Sequence, residues 1–411
     1  MHILLLEMKR VIKSRMTWIL LLVAIALSGI ISYQVIAKEC YTKFDKNGHA
    51  INITGIEAIR ANKKQSQPYD GMITEKKLKN ALLMYQEFDR DSRKNIPTDR
   101  YTALSEKVPN TFFMLDMIGL VYPGKGDHFE DLKNLDPKCI DTFYQRRTKI
   151  LTEQIKAQYP GNQNILRQVQ ELNSRVKKPF FYNSGYVSVN TVFLCSLIFI
   201  LVLIAAMIVS PVFSADYQNG SDDILRCTKN GHMKLAVAKL SSAVFILLAM
   251  FAICILTFVL TVNSAFGWNS LQSSYQATCV LSFVPLTMGQ TQGLTILAGL
   301  LILLAMACFV LFVSAKCQHP TTALIIAVAF CILPEILHAI WNGNVVNFLT
   351  CVLPAGSAGS HNFYTQLNQT TFFHLGSLDI WAPYIIIGAA IIEIPLFFIL
   401  AIRAYCKHRA A

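Results

Sequence analysis

Residues Ser214–Leu240 read SADYQNGSDDILRCTKNGHMKLAVAKL. This is a polar island between two long apolar runs, 187–213 and 235–262. Within it, Asn219-Gly220 is a turn signal. Ser221 is a good N-cap, and Asp222 and Asp223 in a first turn suit the positive end of a helix dipole. Ile224, Leu225 and Thr228 offer a small apolar face at i, i+1, i+4. Lys229 falls near the end and Gly231 is a C-terminal stop. The pattern predicts a short helix over 221–231, of about nine residues and roughly 14 Å. A plain connection between spans needs only a few residues. A bounded helix suggests either a structural loop or a rigid knob offered to a partner.

Outward from the island, the chain is that of a membrane protein. It has 411 residues, is 53% apolar and only 15% charged, against about 25% charged in ordinary soluble domains. Six uncharged or nearly uncharged runs approach or exceed the ~20 residues needed to span hydrocarbon: 16–37, 187–213, 235–262, 292–315, 323–340 and 382–402. Lys239 lies within a turn of one end of its run and is expected to snorkel. Two shorter runs, 277–288 and 345–355, are expected to be interfacial or re-entrant. The fold class is an all-α polytopic membrane protein with six transmembrane helices.

Charge sets the expected orientation. With the N-terminus inside, the short cytoplasmic pieces hold twelve Lys/Arg, and the outer loops 263–291 and 341–381 hold none, a strong positive-inside signal that places both termini in the cytoplasm. The first run is longer than a signal-peptide core and its end is a poor cleavage site, so a retained span over 16–37 is expected. Residues 1–15 read as an amphipathic helix, with Leu4, Met8, Val11 and Ile12 on one face. Lys9, Arg10 and Lys13 would meet anionic headgroups, so membrane lipid is an expected partner.

Residues 38–185 form one long insertion with 25 Lys/Arg and 18 Asp/Glu, enough chain for its own core. Helical periodicity dominates it. Thr74 caps a helix with Leu78, Ala81, Leu82 and Tyr85 on one face. Tyr144, Thr148, Leu151, Ile155 and Tyr159 form a second stripe, broken by Pro160-Gly161. Ile165, Val169, Leu172 and Val176 form a third. A mostly helical extracytoplasmic domain is expected. Its surplus of seven positive charges suits anionic cell-wall polymer or an anionic or peptide ligand. After it come a five-helix membrane region over 186–405 and a cytoplasmic tail over 406–411. Cys40 with Cys139, or Cys279 with Cys351, could be bridged, and spacing leaves both open. Asn52-Ile53-Thr54 fits a glycosylation acceptor, relevant only in a secretory-pathway host.

Chemistry-bearing motifs are few. There is no phosphate-cradling GxxxxGK[ST], no GxSxG and no HExxH. Glu335 and His338 stand at i, i+3 in the fifth span, but a metal site of that kind needs ligands from several helices, so no metal and no catalytic residue is assigned. Glu335, beside Pro334, and Glu393, beside Pro395, are the intramembrane functional candidates. His361, His374 and Asp379 are too loosely arranged to support a membrane enzyme.

The run Phe213–Leu240 resembles the cytoplasmic loop of ATP-binding-cassette permeases of the type-2 exporter class. The matching positions are Asp216-Tyr217, Gly220, Thr228, Gly231 and Lys239. Asp216 stands where Glu is frequent, and His232, with Lys234 two further on, where Arg is frequent. The topology, and the closing run FFHLGSLDIWAPYIIIGAAIIEIPLFFILAIRAYCKHR, are similar to the lineage found in Gram-positive bacteria. The resemblance implies a permease subunit in a bacterial cell membrane, exporting a peptide, antibiotic or lipid-like compound. It implies that Ser221, Asp222, Leu225, Thr228, Lys229 and Gly231 couple it to a separate cytoplasmic ATP-binding subunit. ATP and Mg would sit on that subunit, with no cofactor on this chain. A second permease copy or related permease completes the transporter, and nucleic acid is no partner. The alternative is a membrane receptor or sensor for an extracellular peptide or antibiotic.

Overall fold

Backbone amides in hydrocarbon must be satisfied within their own segment, so uncharged runs of this length become helices. The computed structural model describes residues 2–44, 50–93, 107–124, 128–185, 188–228, 231–341 and 343–408. It begins with helices α1 (His2–Lys13) and α2 (Arg15–Ala37) and a hairpin of β1 (Cys40–Phe44) and β2 (Ala50–Thr54). There follow α3 (Ile56–Ser66), β3 (Gly71–Ile73), α4 (Glu75–Arg93), α5 (Phe112–Val121), α6 (His128–Leu132), α7 (Phe143–Gln158), α8 (Gln163–Ser174) and β4 (Phe180–Tyr182). Then come α9 (Ser188–Val209), α10 (Pro211–Gln218), α11 (Ser221–Arg226), α12 (Met233–Phe266), α13 (Met288–Ser314) and α14 (Pro320–Ile340). The chain closes with α15 (Asn344–Val352), α16 (Phe363–Asn368), a hairpin of β5 (Phe372–Leu375) and β6 (Leu378–Trp381), and α17 (Ala382–Lys407). All three strand pairs, β1–β2, β3–β4 and β5–β6, are antiparallel.

Among the described residues six helical segments are long and apolar enough to cross a membrane: Arg15–Ala37, Ser188–Gln218, Met233–Phe266, Met288–Ser314, Pro320–Ile340 and Ala382–Lys407. They coincide with the six predicted runs. The second keeps its helical course through Pro211 because proline stands at the first turn of α10, where its missing N–H costs nothing.

The chain divides into two units, one of residues 1–33, 191–261 and 293–411, the other of 34–190 and 262–292. In the first unit, Ser28 Oγ on α2 donates to the Cys254 carbonyl of α12 at 2.6 Å. A Cβ at Gly299 on α13 would come within 2.7 Å of Ile198 on α9, so that crossing needs glycine. Helix α15 buries Val346, Thr350 and Cys351 and exposes Val345 and Leu349, a one-sided helix on the short run 345–355.

The second unit has its own apolar core. Leu78 and Leu82 of α4, Leu115 and Ile118 of α5, and Phe143 and Phe180 are fully buried in it. The three predicted stripes supply α4, α7 and α8. Thr74 Oγ1 accepts from the Lys77 amide at 3.4 Å, and Gly161 takes the positive φ of 76° that the turn after α7 requires. The strands were not expected. Those of the β3–β4 pair hold three residues each, too few to show an alternating period.

One sequence expectation is corrected here. Residues 277–288, expected to be interfacial or re-entrant, pack instead into the second unit. They run largely without regular structure, and Ala277 and Val280 join the second unit's core. Arg147, fully buried on α7, holds them: its Nε donates to the Val280 carbonyl at 2.8 Å, and its Nη atoms donate to Ser282 O and to Asn173 Oδ1. Among the described residues no carboxylate pairs with it, and burial pulls its pKa down to about 10. All eleven cysteines, including Cys40, Cys139, Cys279 and Cys351, are free thiols in this structure.

Candidate functional site: the loop between the second and third spans

Helix α10 is pinned before the loop begins. The amides of Phe213 and Ser214 donate to Ser314 Oγ of α13 at 3.1 and 3.2 Å, and that hydroxyl donates to the Ser210 carbonyl at 2.6 Å. This sets the direction of Asp216, one turn further on, which is only 7% exposed.

Asp216 is the centre of a four-charge cluster. Its carboxylate accepts from Arg10 Nη1 at 2.7 and 2.9 Å and from Lys239 Nζ at 2.5 Å. Glu7 closes the ring, 3.2 Å from Arg10 Nε and 3.4 Å from Lys239 Nζ. Two acids and two bases cancel, which is the condition for keeping charges out of water. The cluster ties α1, α10 and α12 together. A cavity of about 210 Å³ lies beside it, lined by Arg10, Ser14, Thr17, Val212 and Asp216 among others.

One expectation changes at this point. Lys239 does not snorkel; it is 0% exposed and its ammonium ends between Asp216 and Glu7. A carboxylate at hydrogen-bond distance on the neighbouring helix outcompetes the route to solvent. Arg10, its side chain still 39% exposed, also bonds to Asp216 and to the Val212 carbonyl, and Lys9 and Lys13 are exposed.

Helix α11 follows. Gly220, at φ 67°, is its N-cap residue, and Ser221 is its first helical residue rather than its cap. The Ser221 hydroxyl points back to Asp216, donating to its carbonyl oxygen at 3.4 Å and to Oδ1 at 3.3 Å. The helix has six residues, shorter than predicted, and ends at Arg226. Thr228 closes the end, its hydroxyl donating to the Leu225 carbonyl at 2.7 Å. Gly231 ends the following turn instead of the helix, its amide donating to the Thr228 carbonyl at 3.0 Å. A Cβ there would stand 1.9 Å from the Leu225 carbonyl oxygen, so only glycine lets the chain pass. Lys229 lies outside the described residues.

The far side of α11 is fastened to the last span. Asp222 is buried and accepts from Arg226 Nε at 2.5 Å. Arg226 then donates from Nη1 to the His408 carbonyl at 2.5 Å and from Nη2 to the Tyr405 carbonyl at 2.6 Å. Its guanidinium lies 4.5 Å above the Tyr405 ring. Tyr405 Oη donates to the Gly231 carbonyl at 3.2 Å, and Tyr217 stacks on His408 at 4.1 Å. These contacts satisfy carbonyls that the end of α17 leaves open.

Of the candidates, Ser221 and Asp222 therefore face inward and Leu225 is half-buried. Thr228 is exposed, and beside it Asp223, Ile224 (75% exposed) and Cys227 face outward. Sequence reasoning missed Glu7, Arg226, Tyr405 and His408, and gave Tyr217 only as part of the Asp216-Tyr217 resemblance. Only the Asp222–Arg226 pair carried a local signal, an acid four residues before a base.

The intramembrane candidates differ from each other. Glu335 accepts from the Ser360 amide at 2.8 Å and from its hydroxyl at 2.6 Å. A Cβ at Gly359 would sit 2.0 Å from its Oε1, so this loop passes close over the carboxylate. His338 stacks on His361 at 3.4 Å and its Nε2 is 3.2 Å from Thr350 Oγ1. His374 and Asp379 are cross-strand neighbours in the β5–β6 hairpin, 2.9 Å apart. Among the described residues no three His, Cys, Asp or Glu side chains gather in a metal-holding group. Glu393 is half-buried and, among the described residues, makes no hydrogen bond or ion pair.

Six apolar spans, with a short anchored helix in the loop after the second, define a multi-pass membrane protein. The family model for ABC-2 family transporter protein matches residues 1–407, and the chain belongs to that family. Its members are the permease component of ABC transporters, which associates with a cytoplasmic ATP-binding subunit. Comparisons with curated proteins and with solved structures found no match.

Proposed function

We propose that this permease exports a peptide, an antibiotic or a lipid-like compound, driven through α11 by a separate ATPase subunit. In this reading the loop is cytoplasmic, both termini lie on the same side, and ATP and Mg are held by the partner. A second permease, a copy or a relative, forms the other half of the transporter.

The observation that supports it best is the division of α11 into two faces. One is tied to the chain's own helices by the Ser221 hydroxyl, which bonds Asp216 of α10, and by Arg226, which bonds the end of α17. The other leaves Ile224 75% exposed, beside Thr228. An exposed apolar side chain on a firmly anchored helix suits a groove on a partner. Force applied there would reach α1 and α12 through Asp216 and α17 through Arg226. The unit built on 34–190 and 262–292, with its basic surplus, would lie outside and meet cargo or anionic cell-wall polymer.

Co-purification with an ATPase from a cell expressing both proteins tests this. Ile224→Asp and Leu225→Asp should abolish assembly, and Ile224→Asp should do so without loss of thermal stability, since that side chain makes little contact within the chain. Unchanged assembly in both variants refutes the docking assignment.

A further inference from the structure

Glu393 stands twelfth of the 26 residues of α17, at mid-span, and among the described residues it has neither a hydrogen-bond donor nor a charge beside it. Burying a lone carboxylate in hydrocarbon is costly, and such residues mark the path of a ligand or of a proton. Among the described residues no cation of the six spans stands at its depth. Among the described residues the six spans hold five cations: Arg15, Lys234, Lys239, Arg403 and Lys407. All lie within seven residues of a helix end, and Lys239 is already held by Asp216 and Glu7. A second copy packed against α17 would bring the same end-of-helix cations, none at the depth of Glu393.

The second observation is aromatic. Phe397 follows Glu393 by four residues and so lies on the same stripe of α17. Its ring meets Phe309 of α13 at 5.1 Å edge-on and Phe312 at 6.2 Å, and Phe309 in turn meets Phe330 of α14 at 4.6 Å. Phe397 thus stands one turn from an unpartnered carboxylate, and its ring continues into those of Phe309 on α13 and Phe330 on α14. Aromatic faces and a carboxylate in an apolar setting are the combination that holds an organic cation, by cation–π attraction and by direct charge.

We propose that Glu393 and the rings of Phe397, Phe309 and Phe330 form a cargo site for hydrophobic organic cations: an ammonium, phosphonium or guanidinium group bearing apolar substituents. The proposal rests on the permease reading and narrows its cargo.

The test is saturable binding of tetraphenylphosphonium to the full-length chain in nanodiscs of zwitterionic lipid. Tetraphenylborate, the same shape with the opposite charge, is the control. Wild type should bind the cation saturably and the anion only by partition into lipid. Glu393→Gln should weaken cation binding by about tenfold or more, Phe397→Leu by a few-fold, and Glu393→Asp should keep most of it. Assembly with the ATPase is followed in the same preparations. It reports on the permease reading separately, because Glu393 is remote in sequence from α11 and neutralising it should leave assembly intact. Three results overturn the site: no saturable cation binding by wild type, equal binding by Glu393→Gln, or a change of oligomeric state in Glu393→Gln with cation binding unaltered. The last would assign the carboxyl to a contact between copies.

Discussion

Replacing Lys239 with methionine removes the ammonium that Asp216 holds at 2.5 Å and Glu7 at 3.4 Å. Methionine fills a similar volume, so the change is chiefly one of charge. Two carboxylates, 7% exposed each, then share Arg10 alone. Breaking a buried pair by removing one partner costs about 3–5 kcal/mol. At about 1.4 kcal/mol per decade, that is roughly two to four powers of ten in the unfolding equilibrium. The double variant Glu7→Gln/Lys239→Met restores neutrality, leaving Asp216 paired with Arg10, and should recover most of the loss. Lys9→Met, an exposed neighbour on α1, should change stability by no more than about 0.5 kcal/mol. Equilibrium unfolding in mixed micelles, read from the far-ultraviolet circular dichroism of the helices, measures all three. If Lys239→Met unfolds within about 1 kcal/mol of wild type, or Glu7→Gln brings no relief, the cluster is not the buried ion network described here.

Gly231→Ala places a methyl 1.9 Å from the Leu225 carbonyl; the turn after α11 must open, and the exposed thiol of Cys227 should react faster with a maleimide in the variant than in wild type. Arg147→Met takes the guanidinium from the Val280 carbonyl and the Asn173 amide oxygen, at about 1–3 kcal/mol for each group left unsatisfied, and leaves the Ser282 carbonyl with Gln276 Nε2 alone, at 3.2 Å. Hydrogen exchange should then accelerate at the amides of Ser274, Tyr275 and Met288, which now bond to Phe181, Leu286 and Ser273. Arg147→Lys should not restore protection, because one ammonium cannot reproduce a fork reaching three separate acceptors.

The helix in the loop shows how far local reading goes. Its beginning was legible, because Asn219-Gly220 and the acidic first turn are local signals. Its end was placed too late, because Gly231 had two readings, a helix stop or the close of a turn beyond it. Thr228 settled this by taking the Leu225 carbonyl for its own hydroxyl. Which face of α11 is exposed could not be read either. Ile224 and Leu225 are equivalent as apolar residues, and only the fastening of Arg226 to the end of α17 turns Ile224 outward. Residues 277–288 misled for a related reason. An apolar run too short to span fits a membrane interface or a soluble core equally well, and the buried fork of Arg147, more than 130 residues away in sequence, decides for the core.

The amino-acid sequence by itself determined the six spans, the three helical stripes of the insertion and the start of α11. Each follows from the solvent preference of neighbouring residues or from capping chemistry within a turn, and needs no distant partner. Tertiary structure alone decided the charge balance. Asp216 meets Arg10 across 206 positions, Lys239 meets Glu7 across 232, and Arg226 reaches His408 across 182. A lysine or arginine near a span end can reach toward water or toward a carboxylate on another helix. That choice depends on which helices the packing brings together, because Coulomb attraction and desolvation act through distance in space and not along the chain.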